Sequence, residues 1–312
     1  MQVCVFIEPH RGADYPTQRV FAQQVEQCGF AGLFRADHYQ PFGDSDGLPG
    51  PTDAWVTLAA LAVETSRIRL GTLVSSATFR LPGPLAIIAA QVDQMSGGRV
   101  ELGIGAGWYE LEHHSYGIPF PPLSQRLDRL AEQLEVITGL WHTPVGQTFS
   151  YQGRYYQLRE APALPKPVQR PGPPLIIGGR GPRRTPELAA RFGTEFNATF
   201  LSPIEAGRRF DYVRQACLRL GRATPPLLSG GVAVACGRTE AQARQRARHL
   251  AEPGRAVPPG EAPVIGGPEE LVDRIGELAQ QGAGRVYLRV GDLEDLDHLE
   301  LIGSEVLPKV VS

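Results

Sequence analysis

The chain has 312 residues, of which 36 are Gly and 28 are Pro, together about one in five against a usual share of ~12%. With 42% hydrophobic and 21% charged residues, and 31 basic against 33 acidic side chains for a formal net charge of −2, it is neither disordered nor collagen-like. The balance also excludes the electrostatic footprint of a nucleic-acid binder and gives no reason to expect an anionic membrane surface as partner. No stretch approaches the ~18 consecutive apolar residues of a membrane span, and Met1 leads straight into Val3, Val5, Phe6 and Ile7, so a cytoplasmic protein is expected. Cys4, Cys28, Cys217 and Cys236 lie far apart without a CxxC pair, the pattern of reduced thiols rather than of a disulfide framework or a zinc site.

Eight short apolar runs recur along the chain, and segments of helical period lie between them, the signature of βα units in a parallel sheet. The first run starts near Gln2 (QVCVFIE) and precedes a helix over 17–28. The second, near Gly32 (GLFRA), precedes a helix over 53–64, and the third, near Ile68 (IRLGTLV), one over 84–95. The fourth, near Val100 (VELGIG), precedes a helix over 124–141 and then TFSYQGRYYQL, whose alternation about Gln152-Gly153 predicts a β-hairpin insertion near 146–160. The fifth, near Pro174 (PLIIGG), and the sixth, near Glu195 (EFNAT), precede helices over 186–192 and 203–220. The seventh, near Gly230 (GVAVAC), is followed by helices over 239–250 and 268–281, separated by a Pro/Gly/Ala-rich loop insertion near 252–263, and the eighth starts at Arg285 (RVYLRV). Eight units favour a closed (β/α)8 TIM barrel as a single domain over 1–312. A doubly wound open sheet is the rival, and its phosphate fingerprint is missing after the first strand, where Glu8, Pro9 and His10 stand.

In a parallel barrel the active site lies at the C-terminal ends of the strands. There the second strand delivers Asp37-His38, a side chain that exchanges protons near neutrality beside an acid that can bias it; the alternative is a structurally paired loop His. After the fourth strand, Gly103-Ile104-Gly105-Ala106-Gly107-Trp108 lets a flat ligand approach the backbone, or simply makes a tight turn. After the fifth, Gly178-Gly179-Arg180-Gly181-Pro182-Arg183-Arg184-Thr185 opens a helix whose free amides and three Arg suit a phosphate; a solvated basic helix start is the alternative. Glu110 and His114 are spaced as helical neighbours beside Glu112 and His113, but no third ligand completes a metal site, and none is expected. No GxSxG elbow supports a Ser nucleophile. Tyr39, Phe42, Trp55, Phe79, Trp108 and Tyr109 are either core or the wall of a pocket for a planar ring.

The segments Gly32-Leu33-Phe34 through Asp37-His38, Ser66 to Thr72, Ser96 to Val100 with Gly103 to Trp108, and Pro174 to Thr185 with Ala189 to Phe192 carry a resemblance over roughly the first 200 residues. The chain resembles the luciferase-like monooxygenase superfamily, and within it the coenzyme F420-dependent oxidoreductases. That resemblance implies a barrel with a deazaflavin or flavin across its C-terminal mouth. It implies Asp37 and His38 near the ring, with His38 the proton donor or acceptor. Val74 would follow a non-prolyl cis peptide whose bulge backs the ring, with Thr72 and Ser76 flanking it. Gly105, Ala106, Gly107 and Trp108 would pass along the ring or its side arm, and Gly178, Gly179, Arg180 and Gly181 would hold the phosphate. Sugar-phosphate dehydrogenases of this branch carry a catalytic Glu where Trp108 stands, so a sugar-phosphate substrate is not expected, and the catalytic segments of bacterial luciferases have no specific match.

The resulting expectation is an F420-dependent oxidoreductase that moves a hydride between deazaflavin and a small apolar or conjugated substrate, assembled as a homodimer. The three Arg near the phosphate segment favour F420, whose polyglutamate tail adds negative charge. A monooxygenase using reduced flavin mononucleotide (FMN) is the enzymatic alternative, and a non-catalytic flavin-binding barrel the other.

Overall fold

A computed structural model describes residues 1–43, 46–198, 200–250 and 262–311. Strand β1 (Gln2–Ile7) is buried from its second residue onward, as a parallel strand covered on both faces must be. Its side chains alternate with the period of two: Val3, Val5 and Ile7 pack outward against helices, whereas Cys4 and Phe6 turn inward with Phe34, Ala36, Leu73, Ile176 and Tyr287.

The remaining strands are β2 (Gly32–Arg35), β3 (Arg69–Thr72), β4 (Ser75–Ser76), β5 (Val100–Gly105), β6 (Phe149–Gln152), β7 (Gln157–Ala161), β8 (Leu175–Gly178), β9 (Glu195–Ala198), β10 (Leu227–Cys236), β11 (Val264–Gly266) and β12 (Arg285–Arg289). Pairing runs β1–β2–β3–β5–β8–β9–β10–β12 and returns to β1, every pair parallel. This is the closed (β/α)8 barrel, built on the eight predicted runs; the β12–β1 pairing removes the edges that a doubly wound sheet would keep. Two short strands escape the sequence pattern: β4 adds to the end of β5, and β11 adds to the last residues of β10.

Helices Tyr15–Gln27, Ala54–Glu64, Pro82–Met95, Leu123–His142, Arg184–Phe192, Pro203–Arg219, Glu240–Leu250, Pro268–Gln280 and Leu296–Glu305 follow the strands in turn. Asp14, Asp53, Ser202 and Asp295 accept first-turn N–H groups as N-caps. Pro16, Pro82, Pro203 and Pro268 occupy first or second helical positions, where a missing N–H costs nothing, so the proline excess marks helix starts as well as loops.

β6 and β7 form the predicted hairpin, docked on helix Leu123–His142 by the Glu132 carboxylate, which accepts the backbone N–H groups of Arg154, Tyr155 and Tyr156. The predicted loop near 252–263 falls outside the described residues except at 262–263.

The lumen closes below on charge. Arg285, the first residue of β12, donates to Glu101 Oε2 (2.7 Å) and Glu195 Oε2 (2.6 Å), and Tyr287 Oη and Ser229 Oγ donate to Glu195 Oε1 (2.7 and 2.6 Å). Arg69 completes the cluster against Glu101. Burial lifts Glu195 to about 7, with Arg285 opposing the rise.

Candidate active site

β2 hands the chain to the mouth through Arg35, which is 1% exposed. Its guanidinium donates to Gln18 Oε1 (3.1 Å), Thr52 Oγ1 (3.0 Å) and the Thr52 carbonyl (2.8 Å), tying the start of the Asp37–Tyr39 loop to the base of helix Ala54–Glu64.

Asp37, the acid adjacent to His38, does not serve it. It accepts from Ser75 Oγ (2.7 Å) and from Arg80, and Arg80 in turn donates to Asp53 Oδ2 (2.5 Å) and Tyr39 Oη (3.0 Å). Asp37 is 1% exposed, so this network pins the loops after β2 and β3 to each other.

The acid that His38 meets lies 74 residues away: Nδ1 is 2.8 Å from Glu112 Oε1, and Glu112 Oε2 accepts the Tyr39 N–H at 3.0 Å. Glu112 stands on a short helix, Glu110–Ser115, that periodicity does not reveal. Its neighbour His113 works on the other side: Nδ1 is 2.6 Å from the Tyr109 carbonyl and so carries its hydrogen there. Nε2 then accepts from Thr78 Oγ1 (2.6 Å), and Thr78 lies 2.5 Å from Ser76 Oγ. Burial pushes the His113 pKa down, disfavouring the charged ring.

The glycines of the mouth acquire a nearer reason than the admission of a ligand. The Leu73–Val74 peptide bond is cis, and Val74 projects between two strands: a Cβ on Gly105 or on Gly178 would lie 2.9 Å from one of its methyl groups. A Cβ on Gly103 would lie 2.0 Å from the Thr72 carbonyl, and one on Gly107, whose φ is +79°, 2.3 Å from Ser76 Oγ. Val74, Ser76, Gly105 to Gly107 and Gly178 therefore form one contiguous surface. Thr72 is fully buried with its hydroxyl on the Gly103 carbonyl at 2.8 Å, so it braces that surface from below. Ala106, Gly107, Gly179, Arg180 and Gly181 are partly exposed along the rim.

The aromatics divide. Phe42, Trp108 and Tyr109 surround the His38 ring at 4.8, 5.7 and 6.4 Å between centroids, with His10 at 5.1 Å. Trp108 is 55% exposed at the opening. Tyr39 and Phe79 pair behind this group, Phe79 against His113, and Trp55 is core, donating Nε1–H to Ser75 Oγ at 3.1 Å.

The arginines after β8 correct one expectation. Arg184 turns to Asp128 and the Ser124 carbonyl on helix Leu123–His142, and the exposed Arg183 lies 3.4 Å from Glu187 of its own helix, so Arg184 adds no argument for an anionic tail. Helix Arg184–Phe192 has no side chain capping its first amides. Glu110 and His114 meet at 3.8 Å, both well exposed.

Comparison with known proteins adds a lineage to this geometry. An F420-dependent glucose-6-phosphate dehydrogenase of Microbacterium testaceum is 34% identical over 180 residues, 57% of this chain and 51% of the relative, so the match spans about half of that protein's length. The oxygenase component of a flavin-dependent trigonelline monooxygenase of Acinetobacter baylyi is 27% identical over 226 residues, 70% of this chain and 60% of the relative. Among solved structures, an F420-dependent secondary alcohol dehydrogenase in complex with an F420-acetone adduct superposes with a TM-score of 0.85 at 19% identity, covering 100% of this chain and 99% of that one, which shows the shared fold. The luciferase-like monooxygenase profile matches residues 1–304, the span that the barrel occupies, and the chain belongs to that family.

Proposed function

We propose that this protein is an oxidoreductase that uses coenzyme F420 to move a hydride to or from a small apolar or conjugated organic substrate, with His38 carrying the accompanying proton. The observation that carries the reading is the placement of His38: an imidazole fixed at Nδ1 by Glu112, walled by Phe42, Trp108 and Tyr109, beside a rim of small residues. The names of the similar proteins support F420, and the flavin-dependent trigonelline monooxygenase keeps a flavin as the competing cofactor.

The residues present fit such a group. Val74 offers a branched side chain behind a planar ring, and Gly105 to Trp108 offer backbone and one aromatic face along it. Gly178 to Gly181 and the uncapped amides of helix Arg184–Phe192 offer donors for a phosphate. When bound, F420 supplies a deazaflavin ring carbon that takes or gives a hydride without readily activating oxygen. The protein's part is to orient the substrate against the aromatic wall, exclude water and hold one proton at His38 Nε2. Asp37, Thr72 and Ser76 act by bracing the loops. Trp108, an indole in place of an acid, suits an apolar substrate better than a sugar phosphate. We place the protein in the cytoplasm, in keeping with its four free cysteines, and read it as a homodimer; among the described residues no helix is long and apolar enough to cross a membrane.

Equilibrium titration with F420 and with FMN, followed by fluorescence, tests the reading. Saturable F420 binding is expected; tight FMN binding with none for F420 would transfer the site to the monooxygenase chemistry, and F420 binding without turnover on any alcohol or conjugated substrate would leave a binding barrel.

A further inference from the structure

Glu112 is 1% exposed and each of its carboxylate oxygens has one assigned donor. Oε2 takes the Tyr39 backbone N–H, a donor that cannot reverse its role, which holds the carboxylate in one orientation and leaves Oε1 facing His38 Nδ1 at 2.8 Å. An acceptor at that distance requires the hydrogen on Nδ1. His38 Nε2 makes no hydrogen bond among the described residues and is not sealed from solvent. We infer that Glu112 is the positioning residue of the site: it sets His38 in the Nδ1–H tautomer, presents Nε2 as the atom that exchanges the substrate proton, and stabilises the imidazolium that forms when Nε2 is protonated. The inference rests on the function proposed above for what His38 does, but the tautomer itself does not depend on any cofactor.

The arrangement follows from one turn of helix. Glu110–Ser115 buries Glu112 and His113, successive residues, and sends them to different loops: Glu112 to Asp37–Tyr39 after β2, His113 to Ser76–Thr78 after β3. The titratable groups facing His38 are Glu112 and His113 from this helix, Tyr109 just before it and His10 after β1. Of these, only Glu112 hydrogen-bonds to the His38 ring among the described residues. Asp37, the neighbour in sequence, is committed to Arg80 and Ser75.

The test is 15N NMR of the imidazole rings in the cofactor-free full-length protein, with the His38 signals assigned by their loss in His38→Gln. Wild type is expected to show the Nδ1–H tautomer. Glu112→Gln has one acceptor oxygen for two donors, so its amide NH2 faces either Tyr39 N–H or His38 Nδ1. The expected result is a shift toward the Nε2–H tautomer. In the F420-loaded enzyme the same variant should lose ~10- to 100-fold in kcat with F420 affinity retained. Glu112→Asp, which keeps the charge, should recover part of both effects, and Glu112→Ala, which removes the acceptor, provides the reading if Glu112→Gln fails to fold. An unchanged tautomer in folded Glu112→Gln or Glu112→Ala would overturn the inference. Failure of F420 to bind, with the tautomer still dependent on Glu112, would overturn the proposed function and leave the positioning role standing.

Discussion

The two ends of the barrel lumen bury charge to different ends. Below, Arg285, Glu101, Glu195 and Tyr287 Oη satisfy one another inside the lumen, and Ser229 and Arg69 complete the set. At the mouth, Asp37 and Glu112 are as deeply buried as the lower carboxylates, yet each holds a loop in place: Asp37 through Arg80, Glu112 through Tyr39 and His38. The lower cluster pairs its groups with one another. The upper one leaves His38 Nε2 without a hydrogen bond among the described residues, on a side chain able to exchange a proton near neutrality. Paired charge at the strands' N-terminal ends serves the fold, and at their C-terminal ends it serves positioning, as the barrel's division of labour requires.

His38→Ala should separate the two ends most sharply. Turnover is expected to fall ~10²- to 10⁴-fold, the range for loss of a general acid or base, while the urea midpoint and F420 binding hold. Turnover equal to wild type would remove His38 from the chemistry. Arg285→Ala should do the reverse, leaving the buried Glu195 without its cation and Glu101 with Arg69 alone, and lowering unfolding free energy by about 3–5 kcal/mol in denaturant titration, with cofactor affinity kept. A loss no larger than that of a surface ion pair would mean that the lower cluster is not structural.

The smallest effect is set by pH. His298 is 3% exposed, accepts the Cys236 N–H at 3.0 Å, and is pushed down to about 4 by burial, with Arg246 adding to the shift. Because the folded state holds fewer protons than the unfolded one, this contribution is fully present above the unfolded value of ~6.5 and is lost as pH falls through 4, on the order of 3 kcal/mol. His298→Gln, which keeps an acceptor, should flatten the stability profile between pH 6.5 and 4; an unaltered slope would assign that loss to other groups.

Much of this architecture was legible in the chain. Each barrel strand announces itself as an apolar run, and helices such as Pro203–Arg219 carry their period and their caps in neighbouring residues. His38 was legible as a candidate because its place depends only on the end of β2. Three features were not. The helix Glu110–Ser115 is too short to show a period, and its Glu and His pattern reads as a possible metal pair until Glu112 is seen to face inward. The partner of His38 is remote, so the adjacent Asp37 was the natural but mistaken choice for biasing it. Arg184 sits beside the phosphate segment in sequence and points away from it, because helix Leu123–His142 supplies Asp128.

The sequence by itself determined the number and order of the βα units, hence the closed barrel and the end at which its chemistry sits, because hydrophobic period and strand polarity are carried by residues close together in the chain. Only the tertiary structure decided which carboxylate serves His38, why Gly105 and Gly178 must lack a side chain, and which arginines leave the mouth. Each of those depends on the direction of a side chain toward a strand or helix tens of residues away, and direction is settled by packing and by hydrogen-bond partners that meet only when the barrel closes.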